Sequence, residues 1–481
     1  MADNTYTAEQ DQVEISRIDE ALQAQKAAFE QQRFPSYQQR ITDLTALKQA
    51  IVSYQQPLVE ALSQDFGCRS IDDSKIADIM PTVMGINYAM KQLKKWMKPS
   101  KRHVGVAFQP AKAYVTYQPL GVVGIITPWN YPIFLALGPL TTALAAGNRA
   151  MIKMSEFTPN TNRVLRELLA SIFNEDKVVL IEGGPSVAAH FSQQPYDHLM
   201  FTGSTRVGKM VMAAAAEHLT PVTLELGGKS PTIIDDEIDI NECVSRFVLG
   251  KSLNAGQTCV APDYILCPEH RVEALTKACI ALFNKMYPSI ANNSDYGSII
   301  NDMQYNRLQD WLADAADKGA NIHSANDADS ELCAQQRKIP LTLVSNVSDD
   351  MILMQDEIFG PLLPIVPYKN IDDAIEYINQ RPRPLALYLC SFNNALQQKV
   401  IEHTHAGGMC INEATLQVAI DDMPFGGVGA SGMGHYHGHE GFLTFSKAKS
   451  VLERGKFSSA SMAFPPYGKL IHKILYKLFI K

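Results

Sequence analysis

Val122-Val123-Gly124-Ile125-Ile126 is an apolar run of five residues, and Thr127-Pro128-Trp129-Asn130-Tyr131-Pro132 follows it. A short apolar segment closed by a proline-bracketed turn reads as a buried strand. The pattern then repeats. A helix is expected from Ile133, a strand at Arg149 to Lys153, a helix at Thr161 to Phe173 and a strand at Val178 to Ile181. A short helix at Ser186 to Phe191, a strand at His198 to Phe201, a helix at Arg206 to His218 and a strand at Thr223 to Leu226 complete the series. Strands alternating with helices of this length specify a parallel sheet covered on both faces. The expected fold class is α/β, a doubly wound parallel sheet. A second alternating half is expected from about Ile240 to Ile411.

Upstream, Val13 to Phe66 reads as helix, with Pro35 and Pro57 at helix boundaries or starts. A further helix covers Ile76 to Trp96 and ends before Pro99. Residues His103 to Gln118 alternate, with Val104, Val106 and Phe108 and then Tyr114, Val115 and Tyr117. They predict a β-hairpin that projects from the body and leaves an edge for a partner. Downstream, Pro424 to Gly434 is a glycine-rich loop. The last residues, Lys469 to Lys481, place Leu470, Ile471, Ile474, Leu475, Leu478 and Phe479 on one helical face and Lys473, Lys477 and Lys481 on the other. This helix is too short to span a bilayer. It suits packing on the body or a partner subunit, with peripheral contact to a membrane surface as the alternative.

Size argues for more than one domain, since 481 residues exceed what a single core usually fills. The formal net charge of −7 argues against nucleic acid as a partner. Eight scattered cysteines without a CxxC pair fit a reducing, cytoplasmic setting better than a disulfide framework. Met1 to Gln12 is polar and lacks the basic start and apolar run of a signal peptide.

Two runs carry chemistry. Glu225-Leu226-Gly227-Gly228-Lys229-Ser230-Pro231 sets a carboxylate beside two glycines, and Asn254-Ala255-Gly256-Gln257-Thr258-Cys259 leads to a cysteine through a polar, flexible approach. A thiol nucleophile and a carboxylate base are what covalent chemistry on a carbonyl requires. Against this, a lone cysteine is most often a small buried hydrophobe, and Glu225 fits a solvent-facing strand end equally well. Asn130 follows a strand of the expected sheet, where its amide suits an oxyanion, or else a simple turn. Phe201-Thr202-Gly203-Ser204-Thr205 precedes a helix, which suits a pyrophosphate or a plain helix cap. Lys153-Met154-Ser155-Glu156 ends another strand, and a glutamate near a ribose favours NAD over NADP. His435, His437 and His439 do not match structural zinc spacing, so no metal is expected.

These runs together resemble the aldehyde dehydrogenase superfamily, in a class-3-like branch, over about Ile15 to Val451. The matching motifs fall in order: PWN at Pro128 to Asn130, KMSE at Lys153 to Glu156, FTGST at Phe201 to Thr205, ELGGKSP at Glu225 to Pro231, GQTC ending at Cys259, EIFGP at Glu357 to Pro361, and PFGGVGASGMG at Pro424 to Gly434. The resemblance implies that Cys259 is the nucleophile, Glu225 the general base and Asn130 the oxyanion donor. It implies Lys153 and Glu156 at the adenine-side ribose, and Trp129, Gly203, Ser204 and Leu226 along the cofactor. Glu357 is implied at the nicotinamide ribose, with Phe359 near the ring. Met154 stands where many relatives have proline. The implied cofactor is NAD, with NADP as the alternative. The implied assembly is a homodimer.

The segments Trp96 to Val115 and Ala24-Gln25-Lys26-Ala27-Ala28-Phe29 look most like bacterial coniferyl aldehyde dehydrogenases. The substrate expected on that resemblance is coniferyl aldehyde, oxidised to ferulate. Medium- or long-chain or other aromatic aldehydes come second, acyl transfer to coenzyme A third, and a non-catalytic membrane-docked protein last. The implied division is a cofactor domain at 1–98 and 119–226, an oligomerisation hairpin at 99–118, a catalytic domain at 227–425, and an oligomerisation segment with tail at 426–481.

Overall fold

The computed structural model describes residues 6–325, 330–456 and 459–480. Three helices open the chain, Ala8–Gln31, Tyr37–Ser53 and Gln55–Phe66. The first two begin with reciprocal capping boxes, Thr7 with Gln10 and Ser36 with Gln39. Pro57 falls in the first turn of the third, where a missing N–H costs no hydrogen bond. A short helix Ile71–Ser74 passes through a π-turn, Lys75–Ile79, into the helix Met80–Trp96.

The first sheet has six strands. Val122–Ile126 lies inside it, with Arg149–Lys153 and then Val178–Ile181 on one side and His198–Thr202 and then Val222–Glu225 on the other. These five are parallel, and the two-residue strand Gly432–Met433 closes the last edge antiparallel. The alternation along Val122–Ile126 sorts the core. Val123 and Ile125 join Leu44, Leu62, Leu137 and Leu168 on one face, while Val122 and Ile126 join Ile18, Leu22, Phe191 and Leu199 on the other. Both faces are covered, so the strands read as continuous apolar runs. The chain reverses its direction of travel across the sheet beside Val122–Ile126. A crevice at the carboxyl ends of strands is expected there.

The second sheet has seven strands in the order Asn321–Ser324, Thr342–Ser345, Leu362–Tyr368, Tyr264–Pro268, Pro231–Ile234, Ala386–Cys390 and Gly408–Ile411. All neighbours are parallel except the antiparallel edge strand Asn321–Ser324. This half begins at Pro231, earlier than the expected Ile240, because the Gly227-Gly228 break is followed at once by a buried strand.

The third sheet contains the expected hairpin, with its first strand placed earlier than the alternation of Val104, Val106 and Phe108 implied. Its strands are Ser100–Arg102, Lys112–Pro119 and Ser446–Glu453, with the middle one paired on both sides. Val104 lies between elements and Val106–Phe108 is a 3-10 turn, with Val106 83% exposed. The true first strand is Ser-Lys-Arg, which has no apolar alternation to betray it. The third strand arrives from more than three hundred residues away, beyond any local pattern.

The tail forms the expected helix, Leu470–Phe479. Its apolar face is not packed on the body: Leu470 is 74% exposed and Leu478 62%. Among the described residues no helix is long and apolar enough to cross a membrane.

Candidate active site

A cavity of about 550 Å³ opens at the carboxyl ends of the first-sheet strands, between the two large sheets. Trp129, Asn130, Gly203, Ser204, Glu225, Leu226, Cys259, Glu357 and Phe359 all line it. The polypeptide thus brings the candidate thiol and carboxylate into one crevice.

The loop before Cys259 is rigid, contrary to the flexible approach expected from its composition. The helix Ile240–Ser252 ends, and Asn254, Ala255 and Gly256 then take positive φ values of 49°, 52° and 72°. Each non-glycine residue held this way costs about 1–3 kcal/mol, so the surroundings must enforce it. Asn254 N–H donates to Asp73 at 2.9 Å. The Gln257 amide donates to Asn254 O at 2.9 Å and Ser298 O at 3.1 Å, and its oxygen accepts from Ile300 N–H at 3.0 Å. Gly256 is required twice over, since a Cβ there would lie 2.4 Å from the Gly360 carbonyl oxygen. Cys259 sits in a turn ahead of the strand Tyr264–Pro268, not at a helix start. Burial, then the charges of Glu357 and Glu225, push its thiol up to about 12, while the N–H groups of Cys259 and Val260 pull the other way.

Glu225 ends the strand Val222–Glu225 and is buried. Among the described residues neither carboxyl oxygen has a hydrogen-bond partner. Burial holds the carboxyl well above the usual carboxylate range. Glycine-rich loop residues press against it: a Cβ on Gly426 would come 3.1 Å from Glu225 Oε1. Asn130 is buried, and its amide donates to the Gln257 carbonyl at 3.1 Å. The second N–H of that amide is available to a developing oxyanion.

Several features fit a dinucleotide. Gly203 and Ser204 precede the helix Thr205–Ala216, whose N-terminal N–H groups and dipole suit a pyrophosphate. The Ser204 hydroxyl also caps that helix, accepting from Val207 N–H at 3.4 Å. Glu357 closes against Gly227, where a Cβ would fall 2.1 Å from its Oε2, and it accepts a hydrogen bond from Gly228 N–H. Burial first, then Asp263, raise Glu357 to about 8. Lys229 holds the loop carrying Glu357, donating to Asp263 at 2.5 Å, Leu353 O at 2.7 Å and Asp356 O at 3.1 Å. Phe359 meets Trp129 edge-on at 5.2 Å.

Lys153 and Glu156 do not line the cavity. Lys153 is buried and donates to the Met154 and Gly183 carbonyls, both at 2.7 Å. Burial lowers its ammonium to about 8. Glu156 is half-buried beyond the end of the same strand. The histidine run packs on different aromatic rings: His437 lies 5.6 Å from Phe425, and His439 stacks at 6.0 Å on Trp96. Sequence reasoning missed Arg307, which lines the cavity and donates to Ile358 O at 2.7 Å. It also missed Tyr436, a fully buried phenol with an unpartnered hydroxyl, whose charge interactions include Glu225 and Cys259. No motif marks Arg307, and Tyr436 stands inside a run read only for metal binding.

Comparison with known proteins agrees with this geometry. Residues 2–451 match the aldehyde dehydrogenase family. A probable coniferyl aldehyde dehydrogenase of Pseudomonas aeruginosa is 54% identical over 481 residues, all of both chains. The substrate-bound structure of Staphylococcus aureus AldH has a TM-score of 0.91 at 40% identity, covering 96% of this chain and 99% of that one. A Mycobacterium tuberculosis aldehyde dehydrogenase complexed with NAD+ has a TM-score of 0.83 at 28% identity, covering 92% of this chain and 91% of that one. A thiol and a carboxylate share one crevice, with room beside them for a nicotinamide cofactor, NAD or NADP. By sequence and by fold the chain belongs to the aldehyde dehydrogenase family.

Proposed function

We propose that this aldehyde dehydrogenase oxidises coniferyl aldehyde to ferulate with NAD+, through a covalent cysteine intermediate. The observation that carries the mechanism is the presence of Cys259 and an unpartnered Glu225 carboxylate in one cavity. The full-length likeness to the Pseudomonas aeruginosa relative supports the choice of substrate.

The Cys259 thiol gives its proton to solvent, and the thiolate sulfur attacks the aldehyde carbon. The Asn130 amide and the Cys259 N–H donate to the oxyanion of the thiohemiacetal. A bound nicotinamide would supply the acceptor for the hydride that leaves that carbon. Glu225, whose raised basicity suits the task, then takes a proton from water as the water attacks the thioester and passes it to the departing sulfur, which releases the acid and restores the thiol. Gly203, Ser204, Trp129 and Leu226, which line the cavity, would flank the cofactor, Glu357 would hold the nicotinamide ribose, and Phe359 would lie beside the ring. Glu156, half-buried beyond the end of its strand, would meet the adenine-side ribose, where a carboxylate disfavours a 2′-phosphate and so favours NAD, and Lys153 would join it only by leaving the two backbone carbonyls that it now bonds.

A panel tests this: NADH formation with coniferyl aldehyde, benzaldehyde, hexanal and a long-chain aldehyde, repeated with NADP. Coniferyl aldehyde with NAD should have the highest kcat/KM, and a clear preference for hexanal or for NADP would overturn the assignment.

Two features support partners. The strand Ser446–Glu453 is an outer strand of its sheet, which supports a homodimer built by edge pairing. The tail helix has an exposed apolar face and carries Lys469, Lys473 and Lys477, which suits an anionic lipid surface. Sedimentation with anionic vesicles, with and without residues 469–481, separates lipid binding from burial in a dimer. Unchanged sedimentation on removing the tail would refute the membrane contact.

A further inference from the structure

Arg69 is fully buried and lies outside the cavity, yet its contacts lead into the site. Its Nη1 donates to the Asn130 carbonyl at 2.7 Å. The same oxygen accepts from the Asn254 amide at 3.1 Å, and that amide also reaches Gln257 O at 3.4 Å. The Asn130 side chain donates to the same Gln257 oxygen. These bonds tie the turn after the strand Val122–Ile126 to the loop that presents Cys259.

The guanidinium is held between two rings, with its Cζ 4.9 Å from the Phe66 centroid and 4.8 Å from that of Tyr131. Tyr131 in turn bonds Thr258, next to the cysteine, at 2.7 Å. Asp78 supplies the counter-charge at 3.7 Å, beyond hydrogen-bond reach, while its other oxygen accepts from Phe134 N–H at 2.5 Å. The π-turn Lys75–Ile79 places Asp78 there, and such turns gather at functional sites. Arg–carboxylate pairs are frequently bidentate, and the Arg69–Asp78 pair is not. Arg69 directs its short bond to the Asn130 backbone, and its Nη2 and Nε have no hydrogen-bond partner among the described residues.

We infer that Arg69 is a positioning residue: by clamping the Asn130 carbonyl against the cysteine loop, it sets the direction in which the Asn130 amide donates to the oxyanion. This rests on the role proposed for Asn130.

The test uses the full-length enzyme and its Arg69→Met, Arg69→Lys, Asn130→Ala and Arg69→Met/Asn130→Ala variants. Rapid-mixing NADH formation reads hydride transfer, NADH fluorescence reads cofactor affinity, and thermal melting reads the fold. Misplacing a reacting group by about 1 Å costs on the order of 100-fold. Arg69→Met is therefore expected to slow hydride transfer ~10- to ~100-fold with NADH affinity unchanged, and Arg69→Lys to recover part of the rate. In the Asn130→Ala background, Arg69→Met should cost no further rate. A normal rate in Arg69→Met, a full additional loss in the double variant, or a parallel fall in NADH affinity would overturn the clamp while leaving Asn130 in place. An undiminished rate in Asn130→Ala would instead remove the oxyanion reading, and the clamp with it. Should Arg69→Met fail to fold, Arg69→Lys decides: slowed transfer with intact NADH affinity supports the clamp, and a normal rate overturns it.

Discussion

Replacing Glu225 with glutamine should separate the two halves of the reaction. The side chain is 2% exposed and neither carboxyl oxygen has a partner among the described residues, so the amide fills the same space without breaking a hydrogen bond. Burial alone raises the carboxyl pKa in the folded chain. The folded state therefore favours the protonated acid. That stability is present below the ordinary carboxylate range and is lost as pH rises through the raised value. Each pKa unit corresponds to about 1.4 kcal/mol, so Glu225→Gln should melt no lower than the parent at mildly alkaline pH. The catalytic effect runs the other way. A positioned base typically contributes ~10²- to ~10⁴-fold, about 3–5 kcal/mol of barrier. The thioester must still form, so rapid mixing with aldehyde and NAD should release a stoichiometric burst of NADH. The following steady state should be slowed by that factor. Unchanged turnover would take Glu225 out of the chemistry. Loss of the burst together with turnover would move its role to thiol activation alone. Either result refutes the assignment to thioester hydrolysis.

Cys259→Ala should abolish NADH production while leaving NADH binding intact, and residual full activity would end the covalent mechanism. Because the Cys259 thiol lies up at about 12, inactivation by iodoacetamide should climb steadily with pH across the range in which an exposed thiol has levelled off near ~8.5. A plateau at the exposed-thiol value would contradict the burial argument. Gly227→Ala puts a Cβ 2.1 Å and 2.4 Å from the two Glu357 oxygens, so the carboxylate must swing away. The fold should persist while KM for NAD rises ~10-fold or more, and an unchanged KM would detach Glu357 from cofactor binding. Gly256→Ala meets the Gly360 carbonyl at 2.4 Å from a φ of +72°, so it should lose more than ~1 kcal/mol in a denaturant melt.

Local pattern was enough for much of the first sheet. Val122–Ile126, Arg149–Lys153 and Val178–Ile181 stand where the apolar runs placed them, because strands buried on both faces leave an uninterrupted apolar signature. In the small sheet the hairpin and its second strand follow the local pattern, but the first strand does not, because Val104, Val106 and Phe108 imitate strand alternation while the real first strand is polar. The tail helix was legible as a helix, but its lack of packing on the body was not.

The site divides in the same way. Residue types and motif order singled out Cys259, Glu225 and Asn130, since nucleophile, base and amide donor are chemical identities carried by single residues. The structure alone put them in one cavity, across sequence separations of up to 129 residues. It also kept Lys153 and Glu156 out of the lining, and it turned an apparently flexible loop into a strained and heavily bonded one. Arg69 shows the limit most plainly. Nothing adjacent to it in sequence points to Asn130, because a buried charge acquires its role from whatever the fold packs around it.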